Sequence, residues 1–292
     1  MNKESNSCLD TQKVKAIMEE IKEKTNRKAY KLTINLEKQP GIFDSKFGGV
    51  PYWDESKEYP VDADGNKMLL LAQVNLQGLE RLSNPDGLEL PSQGMLQFFC
   101  GVDDCFGLDF DEADSQKGYR VVYHEKIDDT VTEEKVRALG VPSSTDENME
   151  EFTPVFIPAV VDISVEEMCL SFGDYRFEEL FRQLAHEKYH IDTGDAALYK
   201  LLSDDDYNTV TDEVNISGHW LLGYPFFTQE DPRGYQEELR KYDMMLFQMD
   251  SEMNGRVDYV LWGDCGVGNF FISSENLKKQ EFGSTLYNWD CC

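Results

Sequence analysis

The chain has 292 residues, 40% of them hydrophobic and 12% aromatic, enough to fill the core of one large domain or two ordinary ones and to exclude wholesale disorder. With 28 Lys plus Arg against 56 Asp plus Glu, the formal charge of −28 repels a phosphate backbone over most of the surface, which argues against nucleic acid and permits a basic protein partner. The opening MNKESNSCLDTQKVKAI lacks the apolar core of a signal peptide, and no later run approaches the roughly 18 apolar residues of a bilayer span, so a cytoplasmic protein with no membrane contact is expected.

Residues 10–25, DTQKVKAIMEEIKEKT, put Val14, Ile17, Met18 and Ile21 at helical spacing behind Asp10 or Thr11 as the cap, which predicts an amphipathic N-terminal helix. From KLTINL (31–36) onward the texture is that of short strands: MLLLAQVNL (68–76), GMLQFFC (94–100), GYRVVYHE (118–125) and VFIPAVVDI (155–163). Turn residues such as DADGN and NPDG separate several of them. DADGN places Asp62, Asp64 and Asn66 at the first, third and fifth ligand positions of a calcium loop. Lys67 stands where that loop needs glycine, however, and Gln73 where it needs glutamate, so a hairpin turn is expected instead. The polar, proline-bounded stretch 140–154 reads as a surface loop, and 166–214 as a helical connector.

After Gly218 the strand texture returns with MMLFQM (244–249), VDYVLW (257–262) and VGNFFI (267–272). These segments echo earlier ones. GVPYW answers GYPFF, LLLAQV answers MMLFQM, and GMLQFF answers GVGNFF; Gly49 and Gly223, Gln73 and Gln248, and Phe98 and Phe270 lie 174, 175 and 172 residues apart. Three matches in one order at nearly constant offset predict an internal duplication with halves near 28–165 and 215–292, within a single domain spanning 1–292. Gln73 and Gln248 each interrupt an apolar strand. A buried amide must find partners, so each either ties neighbouring backbone together or lines a cleft between the halves.

Seven cysteines, an odd number without a C-x-x-C pair, read as reduced and mostly buried thiols, with Cys291–Cys292 reactive if exposed. WGDCG (262–266) ends a strand with Trp262, Asp264 and Cys265 between flexible glycines, and its first-half counterpart LPSQG lacks the carboxylate. QEDPR supplies Gln229, Asp231 and Arg233 in a turn. HEKYH (186–190) has the H-E-x-x-H pattern in which His186 and His190 hold zinc and Glu187 activates water. On a helix, though, both histidines fall opposite the apolar face of Phe177, Leu180, Phe181 and Leu184, so a solvated pair is the expectation and no metal or other cofactor is assigned.

FGGVPYW (47–53), MLLLAQVNL, LPSQGMLQFF, GHWLLGYPFFTQEDPR (218–233), MMLFQMDS (244–251), WGDCGVGNFFISSENL (262–277) and the closing DC together resemble the YwqG-like family of bacterial proteins, whose biochemical function is not established. The residues that match are Gln73, Gly94, Gly223, Tyr224, Pro225, Gln229, Asp231, Gln248, Asp250, Trp262, Gly263, Asp264 and Gly266. The resemblance implies a compact, β-rich α+β fold and a gene neighbourhood near bacterial toxin systems, where an immunity role has been suggested for similar proteins. The expected function is a non-enzymatic module that binds a basic protein or a small molecule through Gln73, Gln229, Asp231, Gln248, Asp250, Trp262 and Asp264. The alternative is a hydrolase, using zinc at His186, Glu187 and His190, or Asp264 and Cys265 in a cleft between the halves; His219 serves as a base for Cys265 only if the fold brings the two together.

Overall fold

The computed structural model describes residues 9–147, 149, 151–194 and 196–291. Asp195 and Cys292, the second member of the terminal cysteine pair, lie outside the described residues. In chain order the strands are β1 (Arg27–Asn35), β2 (Lys46–Phe47), β3 (Leu69–Asn75), β4 (Met95–Cys100), β5 (Tyr119–His124), β6 (Ala159–Met168), β7 (His219–Leu221), β8 (Met244–Asp250), β9 (Glu252–Met253), β10 (Asp258–Val260), β11 (Val267–Ile272) and β12 (Thr285–Asp290). The helices are α1 (Thr11–Thr25), α2 (Glu133–Ala138), α3 (Arg176–Tyr189), α4 (Leu198–Leu201), α5 (Asp204–Glu213), α6 (Pro232–Tyr235) and α7 (Ser274–Lys279).

α1 forms as its sequence pattern requires. Asp10 caps it by accepting from Lys13 N–H at 3.0 Å, and the buried residues are Val14, Ile17, Met18 and Ile21. α3 buries Phe177, Phe181 and Leu184 against it, with Leu180 partly covered, and Lys188 pairs with Glu20 at 2.8 Å across the contact. DADGN is a turn: Asp62 accepts from the N–H groups of Asp64 and Asn66, and Val61 bridges Lys67. No helix among the described residues is long and apolar enough to cross a membrane.

Ten strands form one antiparallel sheet in the order β12-β11-β8-β7-β1-β6-β2-β3-β4-β5, and the remaining β9 and β10 form a separate hairpin. This is the expected β-rich α+β class, with β6 running to Met168, slightly beyond the expected start of the connector. The sheet curls until its edges nearly meet. Tyr119 of β5 donates its hydroxyl to Thr285 O of β12, and its ring lies 5.2 Å from that of Tyr287. The 101–118 loop covers the β12 edge, where Tyr287 N–H donates to Ala113 O and Trp289 Nε1 to Cys105 O. Inside the curl sit Phe47, Phe98, Phe247, Phe270, Trp262 and Tyr287.

The outer face is covered twice by loops, and buried amides fasten both. Gln73 accepts from Tyr52 N–H at 2.8 Å and donates to Ile42 O and Asp44 O, while Gln97, opposite it in register, donates to Tyr52 O. Gln248 accepts from Phe226 N–H at 2.7 Å and donates to Ile216 O and Gly218 O, while Asn269, opposite it, donates to Phe226 O. Each amide therefore ties loop backbone to the sheet, the first of the two roles expected for Gln73 and Gln248. Neither faces a cleft, because both side chains are fully buried with their polar atoms engaged.

One close approach tests the packing. A Cβ on Gly268 of β11 would lie 2.5 Å from Cζ2 of the fully buried Trp262 ring. Gly268→Ala is expected to cost about 1–3 kcal/mol by overpacking. Urea denaturation should show the loss, and the double variant with Trp262→Phe should recover part of it.

Candidate functional site

A cleft of about 1000 Å³ lies between the start of α3 and the loop that follows β7. Its walls are Ser171–Glu179 with Arg182 on one side and Phe226–Tyr235 on the other, and Thr211, Val214 and Asn215 form its floor. SFGDYRF supplies the first wall, since Gly173 and Asp174 end the extended segment and the apolar period of α3 begins at Phe177. Ser171 clips the walls together by donating its hydroxyl to Pro225 O.

Beneath the cleft runs a chain of charges, Arg176–Asp174–Arg233–Asp231, buried except for the partly exposed Arg176. Arg233 and Asp174 have no exposed side-chain surface. Asp231 caps α6 and receives a two-point bond from Arg233, Nε at 2.9 Å and Nη2 at 2.7 Å, and it also accepts from Tyr175 N–H at 3.1 Å across the cleft. Arg233 Nη2 reaches Asp174 at 3.3 Å, its Nη1 donates to Tyr242 O, and its guanidinium lies 4.1 Å over the Phe271 ring. Arg176 completes the chain with bonds of 2.7 and 2.6 Å to Asp174. Two cations and two anions cancel, so this base carries no net charge.

The rim is different. Glu178 pairs with Arg182, but Glu179 and Glu230 are exposed and have no ion-pair partner among the described residues. Tyr235 stands at the mouth, 64% exposed. Burial, then the negative charges of Glu230, Asp231 and Asp290, push its phenol upward, a sign of negative potential there. Gln229 is tethered by its N–H to Asp290 at 2.9 Å and by its side chain to Cys291 O. Asp290 also accepts from Thr228, and burial raises its carboxyl above the ordinary value.

Of the seven residues expected to form a site, the structure brings only Gln229 and Asp231 to this cleft. Asp250 is half-buried and accepts from Gly218 N–H at 2.6 Å and Ser251 N–H at 2.8 Å. Trp262 fills the inside of the sheet, and Asp264 is exposed on the 263–266 turn. His219 accepts from Asp250 N–H at Nδ1 and meets Glu252 at Nε2, 2.9 Å away, so both ring nitrogens are engaged and none is offered to Cys265. In HEKYH, His186 and Glu187 are exposed and Glu187 accepts from Gln183. His190 ends the helix in a left-handed conformation (φ 56°), off the helical path that would align it with His186. Of the five described cysteines, all free, Cys100 alone is buried and Cys265 is exposed, fewer covered than expected.

The residues the sequence pattern passes over are Asp174, Tyr175, Glu179 and Glu230. The signal available for the first two is the Gly-Asp before an amphipathic helix, a helix start rather than a mark of chemistry.

Removing Arg233 leaves the buried carboxylate of Asp231 without its cation, while Asp174 keeps Arg176, so Arg233→Met is expected to cost about 3–5 kcal/mol. Arg233→Lys should recover only part in the same denaturation series, because an ammonium cannot reproduce the two-point bond. For Asp174, burial alone would raise the carboxyl; hydrogen bonds from Arg176 and the charges of Arg233 and Arg176 more than offset it and hold it below its ordinary value. A depressed carboxyl contributes stability that is present above its unfolded value of about 3.9 and lost as pH falls through its folded value. Urea midpoints measured from about pH 6 down to about pH 3 should therefore fall less steeply for Asp174→Asn than for the parent.

No curated protein matches the chain. Residues 45–291, which hold the sheet from β2 onward and every wall of the cleft, match a family described as a domain of unknown function (DUF1963), and the chain belongs to that family.

Proposed function

We propose that the protein is a non-enzymatic binding module whose cleft between α3 and the 226–235 loop takes a cationic group of a protein or small molecule. The observation that carries this reading is the division of charge. The buried carboxylates Asp174 and Asp231 are neutralised by arginines, while Glu179 and Glu230 at the rim are not, and Phe226 and Tyr235 supply aromatic surface beside them. A cation entering there regains Coulomb attraction and aromatic contact in exchange for its hydration. The overall charge of −28 favours approach of such a partner. A basic toxin held in this way is the version that the YwqG-like resemblance suggests, and the residues carrying that resemblance, 47–291, fall wholly inside the family match. The hydrolase alternative has less support, since His219 is engaged at both nitrogens and His190 leaves the helix.

We further infer that the halves are related copies whose first strands are exchanged. The sheet reads β5-β4-β3-β2-β6 from one edge and β12-β11-β8-β7-β1 from the other, with the amide clamps at matching places. On this reading the lead strand of the second copy is β6, so the boundary falls before Ala159 rather than near 215.

Agmatine, which carries a guanidinium and an amine, tests the cleft reading by nuclear magnetic resonance titration. Shifts should concentrate at Tyr175, Gln229 and Tyr235, and Glu179→Gln with Glu230→Gln should weaken binding about tenfold. Shifts spread evenly over the acidic surface would sink the proposal.

A further inference from the structure

The two buried carboxylates of the cleft are saturated with donors. Asp174 Oδ1 accepts from Arg176 N–H and Nε, and its Oδ2 from Arg176 Nη2 and Arg233 Nη2. Asp231 Oδ1 accepts from Arg233 N–H and Nε, and its Oδ2 from Arg233 Nη2 and Tyr175 N–H. Each of these oxygens thus holds two donors, which fills both of its lone pairs. A ligand that brings N–H groups to this depth finds neither carboxylate free to receive them, and an unpaired buried donor costs about 1–3 kcal/mol. A cation without N–H groups escapes that cost.

The aromatic lining points in the same direction. Five rings border the cleft, and three already have partners. Tyr175 carries the guanidiniums of Arg233, Arg240 and Arg176 at 5.1, 5.3 and 5.5 Å from its ring centre, Phe172 packs on Phe177 and Tyr207, and Phe227 stacks on Phe271. The other two, the half-buried Phe226 and the exposed Tyr235, meet neither a ring nor a cation among the described residues. Both stand on the 226–235 wall. Glu230 lies between them in sequence, and after burial its charge is the next contributor to the raised phenol of Tyr235. Glu179 adds a second exposed carboxylate from the opposite wall. The open ring faces attract positive charge through their quadrupoles and need no hydrogen bond from the ligand.

We propose that the cleft selects a quaternary trimethylammonium group, such as that of choline, over primary ammonium and guanidinium groups, with Phe226 and Tyr235 against its methyl groups and Glu230 and Glu179 as its counter-charge. This rests on the cation-binding reading of the cleft and adds the chemical class of the cation. Methylation removes every N–H donor and spreads the charge over an apolar surface, so the group loses less hydration on entry and fits the aromatic contact.

The test uses the full chain and compares choline with ethanolamine, which differ only in the three N-methyl groups and carry the same single charge, so long-range attraction is equal for both. In a nuclear magnetic resonance titration choline should shift Phe226, Gln229 and Tyr235 and bind at least about tenfold more tightly than ethanolamine. Tyr235→Ala, at an exposed position, should weaken choline about tenfold, and Tyr235→Phe less than about twofold, because the ring face rather than the hydroxyl makes the contact. Phe110→Ala, which removes a ring 69% exposed outside the cleft, should leave choline binding unchanged. Nα-acetyl-trimethyllysine amide, titrated in parallel, offers the same group on a protein side chain; whichever of it and choline binds more tightly identifies the source, and either order supports the class. If ethanolamine binds as tightly as choline, or Tyr235→Ala holds choline as the parent does, while agmatine still shifts the cleft, this inference is overturned and the broader cation-binding reading stands. If neither choline nor agmatine shifts the cleft residues, that reading falls and the inference with it.

Discussion

The antiparallel pairing of β1 with β6 is the constraint on which the rest depends. Nine residue pairs, from Arg27 opposite Met168 to Asn35 opposite Val160, hold the centre of the ten-stranded sheet, with β7 on the outer side of β1 and β2 on the outer side of β6. Antiparallel pairing brings the start of one strand to the end of the other. The chain entering β1 from α1 and the chain leaving β6 towards α3 therefore emerge at the same edge, where Leu170 N–H donates to Thr25 Oγ1 at 2.9 Å. The two helices then have a short path to bury their apolar faces on each other. That contact fixes the first turn of α3 beside the loop after β7, and the cleft follows from it.

The two ends of the sheet have backbone support in common and differ in charge. Asn75 pairs in register with Met95, and Asp250 holds the corresponding place opposite Val267. Next along, His124 faces Met95 on β5 and Asp290 faces Val267 on β12. His124 is buried, and burial, helped by Lys57, pulls its imidazole down to about 4, so it is neutral near pH 7. It donates to Gln97 Oε1, whose amide nitrogen is already spent on Tyr52 O, and this directs the Nδ1 lone pair at Lys57. Asp290, an acceptor, instead takes the N–H groups of Thr228 and Gln229 and draws the QEDPR loop into the wall of the cleft. A difference in hydrogen-bonding type at these two register positions thus separates a closed cover loop from one that borders an opening.

Local features were the legible part of the sequence. The 3.6-residue period of Val14, Ile17, Met18 and Ile21 is enough to define α1, and the apolar runs around Gln73 and Gln248 mark central strands because both faces of the sheet are covered. Non-local features were not. Arg233 reads as one member of a proline turn, yet it is fully buried, because its partners Asp174 and Tyr242 lie 59 and 9 residues away. His190 belongs to a helical pattern, yet the helix stops there with a left-handed residue, an end that no glycine announces. Asp264 and Trp262 are neighbours in sequence, but the turn sends one into solvent and the other into the core.

The arrangement of charge at the cleft has two layers with different physical duties. Buried ion pairs gain geometry rather than net stability: taking Arg233 and Asp174 out of water costs several kcal/mol each, and their mutual attraction with Asp231 and Arg176 does little more than offset it. They do fix the position of Tyr175 N–H relative to the α6 turn, since Asp231 bonds to both at once. A neutral, rigid base of this kind neither attracts nor repels a charged ligand. On the proposed cation-binding reading, discrimination falls to the rim, where Glu179 and Glu230 are exposed and carry little desolvation cost in the free protein. The net charge of −28 acts on a still longer range, speeding encounters with any basic molecule and fading with salt. Attraction is therefore general, and selectivity must come from the spacing of the few carboxylates that the buried arginines leave unpaired.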